Sequence, residues 1–372
     1  MLKGFKLVFS IWSTTKAVLH PETIKQTLKT EAKNLGFILF GCARPTLQAD
    51  YAHFEAWIED GLGEGMPYLT RQDARLARKD PALLLPGVRT VISLAVPYPL
   101  VSAEPLEQNP LSQAYIASYA CFEDYHHALK DMASKLAEQL ESLEPGSLTR
   151  ICVDTSPILE KAYAHQSGLG WIGQNTLLFN PEYGSRLLLT EILTTIDLPA
   201  DQPLSGDPCA DCGLCLKACP TGALLGNRGM NSKRCLSYLT IENRAEIPIE
   251  FRQALGSRIF GCDACQQACP YNQLSFPAHI PLPLRSRFSS VVDLQMELEL
   301  DGQGFTAKYT GTPVLRAKHA GFLRNLIIAA ANSGDLNLLP QLKTLRSTVS
   351  DPMLQETLDW AIACLSYLNT TN

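Results

Sequence analysis

Eight cysteines crowded between Cys209 and Cys269 constrain this chain more than any other feature of its 372 residues. The first group reads Cys209-Ala-Asp-Cys212-Gly-Leu-Cys215-Leu-Lys-Ala-Cys219-Pro220, the C-x2-C-x2-C-x3-C-P run of bacterial iron–sulfur proteins. Two-residue gaps let a tight loop wrap three thiolates around one face of a cubane, and Gly213 gives the backbone room to turn. The fourth cysteine of such a run serves a different cluster. The second group, Cys262-Asp-Ala-Cys265-Gln-Gln-Ala-Cys269-Pro270, ends the same way but has Ile259 where its first ligand would lie; Cys235 is the nearby spare. Crossed ligation predicts one [4Fe–4S] cluster on Cys209, Cys212, Cys215 and Cys269, and another on Cys219, Cys235, Cys262 and Cys265. Structural zinc is the rival, but zinc modules favour separated C-x2-C pairs over three thiols at two-residue gaps. A disulfide framework belongs to small secreted chains. Two adjacent clusters make an electron wire, so the rest of the chain must use electrons.

With 46% hydrophobic and 19% charged residues the chain can bury a sizeable core. No run of about 18 apolar residues suggests a membrane span. Residues 1–20 mix Lys3, Lys6 and Lys16 with a short apolar stretch; without a small-x-small cleavage site they read as an N-terminal extension, and the chain as cytoplasmic. The net charge of −5 makes it no polycation, although phosphate binding needs only a local basic surface.

Residues 21–200 read as an α+β domain. Ile24, Leu28, Ala32 and Leu35 share a helical face that ends at Gly36, and Leu129, Met132, Leu136 and Leu140 mark a helix over 125–143. Phe37–Cys42, Val88–Val96, Ile151–Val153 and Leu187–Thr195 read as strands. Pro157 suits a helix first turn, which predicts a helix from there towards Gln166. Residues 201–275 form the two-cluster module and 276–300 a Pro-rich, then acidic linker. Residues 301–372 carry stacked helical patterns. Between Gly302 and Arg346 six basic residues face Asp335 alone, a net of +5; Lys308, Arg316, Lys318 and Arg324 make either a phosphate-binding surface or a plain solvated face. Gly168-Leu-Gly-Trp-Ile-Gly173 matches G-x-G-x-x-G but follows a helix and lacks the later acidic residue, so the dinucleotide reading fails its context. Asp124-Tyr-His126-His127 hints at a cobalt-ligating D-x-H-x-x-G loop, but Leu129 stands in place of the glycine; both histidines read as surface or packing residues.

Several segments together resemble the epoxyqueuosine reductases. They are Arg78-Lys-Asp-Pro81 with Leu-Leu-Leu-Pro-Gly87, Tyr119-Ala-Cys121-Phe-Glu-Asp-Tyr-His126, and Val153-Asp154-Thr155-Ser-Pro-Ile-Leu-Glu160. Gly168 to Gly173, Cys235-Leu-Ser-Tyr-Leu-Thr-Ile-Glu242 and Gly311-Thr-Pro-Val-Leu-Arg316 complete the set, with Gln174 standing where the family usually has Lys. The resemblance implies a cobalamin-dependent enzyme that removes the epoxide oxygen of epoxyqueuosine at the wobble position of tRNAs with a GUN anticodon. It implies a cobalamin-binding domain resembling that of reductive dehalogenases, a ferredoxin-like insert with two [4Fe–4S] clusters, and C-terminal HEAT-like helical repeats. No histidine ligates cobalt in that family, and it places Cys121 close to the metal. Arg78, Asn175 and Ser237 are further candidate cobalamin contacts. A low-potential electron donor and a monomeric state are expected.

Epoxide deoxygenation consumes two electrons and two protons and releases water. Clusters deliver electrons singly, so a cofactor must stand between them and the substrate. Asp154 is the expected proton donor and cofactor neighbour. An exposed Asp, with a pKa near about 3.9, is ionised at neutral pH; burial beside a macrocycle would raise it into the range of a general acid. The alternative for Asp154 is a helix N-cap. A dehalogenase-like enzyme on a small substrate and a plain two-cluster electron carrier are the alternative functions.

Overall fold

The computed structural model describes residues 19–101, 112–273 and 284–371. In chain order the strands are β1 (Leu39–Ala43), β2 (Thr90–Pro97), β3 (Gln113–Ile116), β4 (Thr149–Cys152) and β5 (Trp171–Ile172), followed by β6 (Leu178–Phe179), β7 (Leu187–Thr194), β8 (Arg258–Phe260) and β9 (Val291–Asp293). The main sheet runs β1-β2-β7-β4, antiparallel throughout, with Ile92 opposite both Cys42 and Ile192. All eight residues of β2 are buried, because both faces of the sheet are covered and alternate side chains enter different cores. Ile92, Leu94 and Val96 meet the helices Pro21–Leu35 and Tyr125–Leu143, whereas Val91 and Ala95 meet the helix Glu160–Gln166.

The first long helix ends on Gly36 at φ 106°, a left-handed cap that glycine adopts without a Cβ clash. The helix 125–143 begins on Asp124, whose carboxylate accepts the His126 backbone N–H at 3.0 Å. These elements match the sequence periodicity within two residues. The helix expected from Pro157 starts instead at Glu160, because 153–158 are spent on turns around Asp154.

A second sheet, β8-β3-β9, joins three stretches of chain that the sequence reading kept apart. β3 belongs to the 21–200 region, β8 to the cysteine-rich region and β9 to the segment expected as a linker. Over its described part that segment forms β9 and the helix Leu294–Leu298. The helix Lys318–Ser333 is buried on nearly every side, packing on β8, on the helices Leu236–Ile241 and Ile249–Leu255, and on Pro352–Thr371. A helix apolar all round is a core helix. Among the described residues no helix is long and apolar enough to cross a membrane.

Candidate functional site

A cysteine-lined cavity and a separate cleft collect the chemistry-bearing residues. Cys209, Cys212, Cys215 and Cys269 line a single cavity of about 290 Å³. The crossed partner Cys269 is there because the short helices Leu214–Ala218 and Ala264–Gln267 pack against each other. Burial, then Cys209 and Cys269, push the Cys215 thiol up, while Cys235 is pushed up by burial and Cys219. Cys265 is raised by burial, then by Cys262 and Cys235. Cys265 also senses Cys215 of the first group, so the two groups of thiols lie close to each other. Among the described residues no three His, Cys, Asp or Glu side chains stand close enough for one ion. Thiols spread around a cavity suit a cubane, whose ligands sit farther apart than those of one tetrahedral zinc.

The Gly168–Gly173 motif packs this cavity. A Cβ on Gly170 would lie 2.0 Å from the Phe179 carbonyl oxygen, and one on Gly173 2.7 Å from the Phe179 ring. Those glycines let β5 and β6 close into a hairpin that leans on the cysteines. Trp171 Nε1–H donates to Cys209 Sγ at 3.3 Å, and the Gln174 amide donates to the Cys209 carbonyl.

The cleft, about 570 Å³, is lined by Leu177, Leu178, Leu187, Leu188 and Leu189, with Tyr125, Asp154, Glu160, Lys161 and Ser185 supplying its polar groups. A lining that mixes leucines with a few polar groups suits a macrocycle with amide edges, as cobalamin would present. Asp154 sits at φ 46°, in a three-residue turn closed by the Thr155 N–H on the Val153 carbonyl. Such turns are rare and strained. The turn aims its carboxylate at His126: Nε2 lies 2.9 Å from Asp154 Oδ2, and Nδ1 lies 2.7 Å from Asp124 Oδ1. Burial pulls the imidazole down, but the two carboxylates outweigh it and push its pKa up to about 9. The ring also stacks on Tyr125 at 4.2 Å. Beneath the cleft, Glu160 is raised by burial and then by Asp154. Glu191, fully buried on β7 with neither oxygen hydrogen-bonded, is raised by burial and then by Glu160.

Several expectations change here. The Asp154 side chain is 49% exposed rather than buried, and with the helix capped at Leu159 it is no N-cap either. Its proton partner His126, read as a packing residue, was missed; the signal was Asp124 two residues before it, which caps the helix and turns the ring. Cys121 is fully buried, its thiol directed at the Ile116 and Ala117 carbonyls, with no surface open to the cleft. Burial raises its pKa to about 12. Asn175 stands on the first cysteine cavity rather than in the cleft. Ser237 offers its backbone N–H to the Cys235 sulfur, beside the second set. Arg78 is buried over the Phe54 ring, donates to the Ala74 carbonyl, and senses Glu160.

The basic tail also resolves unequally. Arg324 is 0% exposed and donates to the carbonyls of Leu239, Asn243 and Ala245; it cannot face phosphates. Lys308 is paired with the buried Glu297. Arg316 holds Glu242 with two hydrogen bonds, 2.8 and 3.0 Å, and lies over the exposed Tyr68 ring. Lys318 is exposed. Arg316 also lies within electrostatic reach of Asp154, at the mouth of the cleft.

Comparison with known proteins agrees with this arrangement. The family described as 4Fe-4S double cluster binding domain matches residues 208–272, and Epoxyqueuosine reductase QueG, DUF1730 matches residues 78–155. The epoxyqueuosine reductase of Pseudomonas aeruginosa is 34% identical over 356 residues, covering 92% of this chain and 94% of that one. That of Vibrio cholerae is 37% identical over 319 residues, covering 84% of each. A crystal structure of epoxyqueuosine reductase with an epoxyqueuosine-modified tRNA-Tyr stem loop superposes with a TM-score of 0.84 at 28% identity, covering 93% of this chain and 91% of that one. On that extent of identity, joined to the double-cluster domain, the chain belongs to the epoxyqueuosine reductase family.

Proposed function

We propose that this chain reduces epoxyqueuosine to queuosine at the wobble position of tRNAs with a GUN anticodon, using cobalamin and electrons relayed by two [4Fe–4S] clusters. The observation that carries the reading is the His126–Asp154 couple, with Asp154 lining a leucine-rich cleft, in a chain whose Cys209, Cys212, Cys215 and Cys269 line a further cavity. A plain electron carrier has no use for such a cleft. The cluster ligands are the two sets Cys209, Cys212, Cys215, Cys269 and Cys219, Cys235, Cys262, Cys265.

Leu177, Leu178, Leu187, Leu188 and Leu189 would line the cobalamin site and exclude water from it, and cobalamin bound there would supply a centre that collects single electrons for the substrate carbon. His126, positively charged at neutral pH with a pKa of about 9, keeps a proton on Nε2 directed at Asp154 Oδ2. The imidazolium passes that proton through the Asp154 carboxylate to the oxygen leaving the epoxide and reloads from solvent; a second proton taken the same way lets the oxygen leave as water, against the two electrons the clusters deliver. Asp124 holds the ring in register. Anionic RNA approaches past Arg316 and Lys318 at the cleft mouth, where Tyr68 offers a face for stacking a base. The C-terminal helices are read as a HEAT-like support for that surface, and the site of action is the cytoplasm, where tRNA is modified.

The test is anaerobic turnover of epoxyqueuosine-containing tRNA with reconstituted clusters, added cobalamin and a chemical reductant, followed by mass spectrometry of the nucleosides. Queuosine, one oxygen lighter, should accumulate only with cobalamin present. Unchanged epoxyqueuosine with full cluster content would sink the reading.

A further inference from the structure

The Gly168–Gly173 segment does more than close a hairpin. We propose that Trp171 and Asn175 set the reduction potential of the cluster on Cys209, Cys212, Cys215 and Cys269 by donating hydrogen bonds to its sulfurs. This rests on the double-cluster reading above. Trp171 Nε1–H points at Cys209 Sγ from 3.3 Å. Its indole is 6% exposed, stacked on Phe179 at 5.8 Å and wedged edge-on against Tyr271 at 4.9 Å. Tyr271 follows Cys269-Pro270 directly, so the donor is clamped between two cluster-bearing segments.

Asn175 supplies the second donor. It is 3% exposed and lines the same cavity as the four thiols. Its Oδ1 accepts the Leu177 N–H, which fixes the amide plane. Its Nδ2 is buried with no protein partner. A buried amide N–H₂ left unpaired is costly, and cluster sulfur is the acceptor this cavity is built to hold. At the other set the Cys219 sulfur accepts the Ala223 backbone N–H at 3.2 Å, and Cys235 those of Tyr238 and Ser237. Backbone donors come with the fold; the indole and the carboxamide are choices of side chain.

Reduction adds one electron to the cluster, and no proton moves. The sulfurs become more negative, so hydrogen bonds to them strengthen in the reduced state and raise the potential. Cys212 is exposed, so this cluster is open to solvent on that side.

The test uses anaerobic holoprotein titrated with dithionite and followed by electron paramagnetic resonance, in the wild type, Trp171→Phe and Asn175→Leu. Each variant should make reduction of one cluster about tenfold less favourable, a shift of about 59 mV to more negative potential. The other midpoint should stay in place as the internal reference, with iron and sulfide unchanged. Full iron with both midpoints unmoved, or both moving together, overturns the proposal. So does a halved iron content in both variants, since the donors would then hold the cluster rather than tune it. If only Trp171→Phe loses iron, the Asn175→Leu midpoint decides. A wild-type protein that never takes up two clusters defeats the double-cluster reading instead.

Discussion

Asp154 holds a left-handed backbone at φ 46°, a conformation that costs most side chains of order 1–3 kcal/mol. Asn tolerates it as well as Asp does, so Asp154→Asn isolates the proton. That variant should fold and bind normally while single-turnover queuosine formation falls by roughly 10²–10⁴; a near-normal rate would reduce Asp154 to a turn residue. His126 gives a second handle. Its pKa in the folded protein, about 9, lies above the ordinary 6.5. The stability it contributes is therefore complete below 6.5 and lost as pH rises through 9. Discounted for solvent screening of a half-exposed partner, that contribution is about 1 kcal/mol. Urea melts of wild type and His126→Gln should differ by this amount near neutral pH and converge in the alkaline range. A gap that widens with pH would mean the ring is buried neutral.

The helix 318–333 shows how one element divides its charges. Arg324 sits where the helix crosses the segment 239–245 and satisfies carbonyls there, and burial lowers its pKa to about 10. Arg324→Leu strands those carbonyls and should cost roughly 3 kcal/mol or more, seen as a lower melting temperature with an unchanged salt slope for tRNA binding. Lys318, exposed at the same helix's start, should behave oppositely. Lys318→Ala should leave melting alone and reduce the slope of log affinity against log salt by roughly 0.7–0.9. If the two variants exchange these signatures, the basic face has been placed on the wrong side of the helix.

Across the whole molecule, the sheet β8-β3-β9 and the core helix 318–333 tie the cysteine sets, the cleft and the C-terminal helices into contact. Cys235 stands at that junction, at the N-cap of the helix 236–241, which packs on β8 and on the helix 318–333. It is also the ligand that the second cysteine group lacks in its own run. Cys235→Ala should halve iron and sulfide per chain, because no neighbouring thiol replaces it. Iron at the level of two cubanes would show that another group completes the second site.

Much was legible in the linear chain, and for local reasons. A cluster is bound by thiols a few residues apart, so the run from Cys209 to Cys219 announces it. The helix 125–143 declares itself by period, because burial on a helix face repeats along the sequence, and β2 by a short apolar run closed by Pro97. What pairs across distance did not declare itself. Asp154 and His126 are 28 residues apart, and neither sequence neighbourhood says that a strained turn aims one at the other. Arg324 and Lys318 carry the same charge on the same helix; only the segment 239–245 packed over one of them makes it structural. Trp171 sits inside a glycine motif that only superficially matches a nucleotide fingerprint, and Asn175 just after it. Tertiary packing, by folding that hairpin onto the cysteines, turned them into donors to sulfur.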